Sequence, residues 1–76
     1  MNTDDLTPSQ KRDVIQAHIL TWKRTRYDWT ISYQTGQIIG RSSEELKIIE
    51  GKIAESIKAL DALESMLKEL GREKEN

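Results

Sequence analysis

The chain has 76 residues and a mass of 8.8 kDa, room for one domain with a thin core. It has no cysteine and one histidine, which removes disulfide staples and zinc-type ligand sets as supports. Its 12 Lys and Arg against 13 Asp and Glu leave a net charge of −1, which argues against a duplex-binding surface and its usual basic excess.

Oligomerisation is the support that remains for so small a core. No apolar run approaches the ~20 residues needed to cross a bilayer, and no secretion signal opens the chain. The composition therefore predicts a soluble, cytoplasmic, all-α protein with neither a membrane nor duplex nucleic acid among its partners.

In chain order, residues 1–6 are polar and aperiodic and read as a flexible arm. Thr7-Pro8-Ser9-Gln10 is a helix start. Thr7 can accept from a free backbone N–H, Pro8 suits the first helical position, and Gln10 stands where a capping box places its reciprocal acceptor. The first helix is expected over about residues 8–39, with Gly36 as the earlier candidate stop and Gly40 as the later one. A turn at about 40–42 leads to a second start at Ser42-Ser43-Glu44-Glu45. There Ser42 and Glu45 form another capping box, and two acids suit the positive end of the helix dipole. The second helix is expected over about 43–70, ended by Gly71, with 71–76 as a charged, flexible end. The whole reads as one helical-hairpin domain over residues 1–76.

Apolar spacing sets the expected packing. In the second helix Leu46, Ile49, Ile53, Ser56, Leu60, Leu63, Leu67 and Leu70 follow an unbroken 3-4 alternation, a heptad seam with one polar member. The first helix has the same rhythm in Ile15, Ile19, Trp22, Arg26, Trp29 and Tyr33. A second stripe on that helix, Leu20, Tyr27, Ile31 and Ile38, lies ~140° round from the first. A short turn folds the helices back antiparallel. Tyr33 then faces Ile49, Trp29 faces Ile53, Trp22 faces Leu60, Ile19 faces Leu63 and Ile15 faces Leu67. Arg26 faces Ser56, so one layer is expected to be polar on both sides. The second stripe would be left in water, and that much apolar surface normally finds a partner. A four-helix-bundle dimer of hairpins closes the problem with one two-fold axis.

All four aromatic residues fall between positions 22 and 33, and Lys23, Arg24 and Arg26 are interleaved with them. Trp22, Arg24, Arg26, Tyr27, Trp29 and Tyr33 are candidate residues for binding an anionic aromatic ligand such as a nucleotide, the rings stacking and the guanidiniums holding phosphate oxygens. The competing reading gives Trp22, Trp29 and Tyr33 to the bundle core. It gives Arg26 to a buried polar layer that fixes register and would need a carboxylate partner such as Glu55. His18 lacks partners for catalysis or metal binding and is expected to be half-buried and hydrogen-bonded beside the seam. Gly51, inside the second helix, costs ~1 kcal/mol relative to Ala, and close approach of a neighbouring helix or a Trp is the expected reason. The carboxylates of the second helix alternate with lysines, as on a solvated face.

The sequence thus predicts a small non-enzymatic interaction protein that assembles with itself or with another protein, without a cofactor or a metal. The alternative is a binder that sequesters a nucleotide-like anion through the aromatic and basic cluster.

Overall fold

A computed structural model describes residues 5–74, with side chains from 5 to 72. The outer parts of the two expected flexible ends, 1–4 and 75–76, lie outside the described residues. Two helices, α1 (Pro8–Ile39) and α2 (Ser43–Lys74), fold back on each other as a hairpin.

Both capping boxes form. At the start of α1 the Gln10 backbone N–H donates to Thr7 Oγ1 at 3.2 Å, and the Thr7 N–H donates to Gln10 Oε1 at 3.0 Å. At the start of α2 the Glu45 N–H donates to Ser42 Oγ at 3.2 Å, while the Ser42 N–H and hydroxyl donate to Glu45 Oε1 at 3.4 and 3.2 Å. The other carboxylate oxygen of Glu45 takes Arg41 Nη1 at 2.9 Å. These bonds hold the Glu45 carboxyl below the ordinary carboxylate range, the Ser42 backbone bond most and the Arg41 bond next.

Gly36 does not end α1. The helix runs through it to Ile39 and closes at Gly40, whose φ of 78° is the left-handed conformation that suits glycine. Gly36 is instead buried at the inside of the turn. Its carbonyl accepts from the Gly40 and Arg41 N–H groups, and a Cβ added to it would lie 3.1 Å from Leu46 Cδ2. The absent side chain is what lets α2 come back so closely.

Gly71 does not end α2 either. The helix continues through it to Lys74, past the stop expected at residue 70. Glycine is permitted in right-handed helix and stops one only where the chain needs the left-handed turn. Here α1 and α2 are both 32 residues long, and Leu70 is buried, so α2 extends about as far as α1 lies beside it.

The Gly36–Leu46 approach fixes the register. Carried along the hairpin, it sets Trp29 level with Ile53 and Trp22 level with Leu60. Ile49, Leu60 and Leu70 are buried. Ile53, Leu63 and Leu67 are half-buried, as are Ile15, Ile19, Trp22, Trp29 and Tyr33 across from them.

Four residues depart from expectation. Arg26 is exposed, and its neighbour Thr25 is half-buried in its place. A guanidinium withdrawn from water needs a carboxylate and several further bonds, whereas a threonine hydroxyl is cheap to enclose. Ser56 is 0% exposed, yet its hydroxyl donates to the Lys52 carbonyl of its own helix at 3.0 Å, so it needs no partner from α1. His18 is exposed rather than half-buried. Gly51 is exposed, with nothing within 4 Å of an added Cβ, so no neighbouring helix or Trp of this chain accounts for it.

Candidate functional site

The aromatic and basic cluster of α1 is divided between faces of the helix. Trp22, Trp29 and Tyr33 are half-buried on the side towards α2. Tyr27 is 67% exposed, and Arg24 and Arg26 are exposed. At 100° per residue, Tyr27 lies ~160° round from Trp29 and Arg24 ~140° from it in the other sense. One ligand ring cannot meet these groups together without passing around the helix.

A shallow groove near the turn is lined by Trp29, Ser32, Arg41, Glu45, Ile48 and Ile49. It includes Trp29 but none of Arg24, Arg26 or Tyr27. Its Arg41 is engaged by Glu45, so an anion there would have to displace an existing carboxylate. A more apolar groove lies at the open end of the hairpin, lined by Leu6, Lys11, Val14, Ile15, Ser65, Met66, Glu69 and Leu70. Leu6, from the segment expected to be a polar arm, forms part of that wall. The segment 1–6 has no periodicity to announce this groove; the one signal in the sequence is an apolar residue, Leu6, directly before the Thr7 cap.

The second stripe of α1 is the surface feature that the fold leaves most clearly unaccounted for. Leu20, Tyr27, Ile31 and Ile38 are 51%, 67%, 40% and 85% exposed. With Thr25 and Gly36 on the inner face instead of Arg26, the inner seam is turned about a tenth of a circle, and the stripe comes to lie nearly opposite α2. Ala17, Arg24 and Gln34 complete it, giving a 3-4 alternation from 17 to 38 on the outer side of the hairpin.

The carboxylates of α2 form local pairs. Glu55 lies 3.8 Å from Lys52 Nζ and Glu69 lies 3.1 Å from Arg72 Nη1, all four side chains well exposed. Among the described residues, no group of three or more His, Cys, Asp and Glu side chains is placed to hold a metal ion, and no helix is long and apolar enough to cross a membrane. Comparison of the chain with protein families, curated proteins and solved structures finds no match.

Proposed function

We propose that the chain is a small, non-enzymatic helical interaction protein that assembles with itself. The outer stripe of α1 carries this reading: four large apolar side chains stand at heptad spacing on a face that α2 cannot reach. The thin core supports it, because among the described residues the buried hydrophobic ones, Ile49, Leu60 and Leu70, all come from one helix. Two helices in one layer cover each other on a single side, and a second hairpin supplies the missing cover. A dimer with two-fold symmetry, four helices in all, is the simplest such assembly, and a four-helix bundle is its compact form. A cytoplasmic setting, where a chain without cysteines gives up nothing, belongs to the same proposal.

Sedimentation equilibrium combined with thermal unfolding over a hundredfold range of protein concentration tests it. A dimeric mass and a melting temperature that rises with concentration are the expected results. A folded monomer at micromolar concentration, with a melting temperature independent of concentration, overturns it.

A further inference from the structure

We infer that the outer face of α1 pairs with the same face of a second copy, and that the two α1 helices run antiparallel about a two-fold axis level with residue 29. The inference rests on the self-association proposed above and specifies the surface, the direction and the register.

The pattern of the stripe selects this arrangement. In an antiparallel coiled-coil pair, each a position lies across from a d position of the partner. When the helices cross level with residue 29, Leu20 meets the partner's Ile38, Tyr27 meets the partner's Ile31, and Arg24 meets the partner's Gln34. Each of the four large apolar members of the stripe finds an apolar residue. The two polar members find each other, a guanidinium donor against an amide carbonyl that accepts. Sliding one helix by a heptad in either direction breaks the match: one slide sets Arg24 against Tyr27, the other sets Ile31 against Gln34.

Direction follows from charge. Parallel helices in register place Arg24 directly on the partner's Arg24, two like charges facing each other in a closing interface. The antiparallel pair separates them to opposite sides of the axis. Asp28, one turn from Arg24 on the stripe's edge, brings a carboxylate of each chain near the axis between them, so two guanidiniums and two carboxylates alternate there. The resulting order of helices is α2, α1, α1, α2, an open four-helix layer with both α1 helices inside, in place of the compact bundle.

Because the chain has no cysteine, single thiols can be introduced at will. The test uses the variants Leu20→Cys and Ile38→Cys, each on an exposed side chain, oxidised separately and as a mixture. The mixture is expected to give the disulfide-linked pair in high yield, and each variant alone little. A Leu20→Cys dimer formed alone would show parallel helices and overturn the inference. In parallel, Ile31→Lys places a charge twice in each symmetric dimer and is expected to weaken dimerisation by about a hundredfold, with helix content by circular dichroism unchanged. Ile48→Lys, on exposed α2 surface away from the stripe, serves as the control and is expected to leave dimerisation unchanged. If the wild type is oligomeric but Ile31→Lys leaves it so and the mixed thiols do not join, this surface is wrong while self-association stands. If the wild type is a folded monomer, both fall.

Discussion

Three of the four glycines, Gly36, Gly40 and Gly51, offer a sharp comparison, since the same added methyl group meets three environments. At Gly51 the position is helical and exposed, and a new Cβ has nothing within 4 Å. Alanine is better than glycine in a helix interior by ~1 kcal/mol, so Gly51→Ala should stabilise the protein by about that amount. For a domain of this length that is a rise of about 4–8 °C in melting temperature. At Gly36 the helical preference is the same, but the methyl would stand 3.0 Å from Arg41 Cδ and 3.1 Å from Leu46 Cδ2. Arg41 is tied to Glu45 at 2.9 Å, and Leu46 is half-buried, so both must give by a few tenths of an ångström. Overpacking of this kind costs ~1–3 kcal/mol, which cancels or exceeds the helical gain. Gly36→Ala should therefore come out between unchanged and about 2 kcal/mol less stable. At Gly40 there is open space, but φ is 78°, and a side chain in the left-handed region costs ~1–2 kcal/mol. Thermal and urea unfolding of the three variants, run at one fixed protein concentration, measures the differences. A Gly36→Ala protein stabilised as much as Gly51→Ala would refute the close approach of α2 to α1 at the turn. A destabilised Gly51→Ala protein would refute the open surroundings of Gly51 and put another chain against it.

Further outcomes follow from the packing and the caps. Leu60→Ala should cost ~2–5 kcal/mol, the range for truncating a buried leucine, while Lys58→Ala changes little; equal small effects in urea unfolding would show the inner seam to be wrong. Arg26→Leu should alter stability by no more than ~0.5 kcal/mol, because Arg26 is exposed; a larger change in either direction would return it to the seam. Glu45 has a folded-state pKa below its ordinary value, so it contributes stability above about pH 4.5 that is lost as pH falls through the lowered folded value. Glu45→Gln should thus flatten the acid limb of a plot of melting temperature against pH, and an unchanged limb would show that the capping carboxylate contributes nothing. Nucleotides added to the wild type should leave the melting temperature unmoved, since Trp29 faces α2 while Tyr27 and Arg24 face away from it; a saturable rise would restore the ligand reading.

Sequence alone determined the features that depend on neighbours within a turn. The Thr7–Gln10 and Ser42–Glu45 boxes, the left-handed Gly40 and the heptad seam of α2 are local matters of hydrogen-bond reach and side-chain spacing, and they read directly from residue order. Tertiary structure decided what depends on the other helix. Whether Gly36 or Gly71 stops a helix turns on whether a partner still lies alongside, because glycine tolerates both the helix and its end. Which of the adjacent residues Thr25 and Arg26 faces inward turns on desolvation, which a 3-4 count does not weigh, and on the setting of α1 fixed by the bare backbone at Gly36 against Leu46. That small rotation carries the second stripe from the flank of α1 to its outer side. The four large apolar residues of that face are legible in the sequence; only the position of α2 made it the surface left for another molecule.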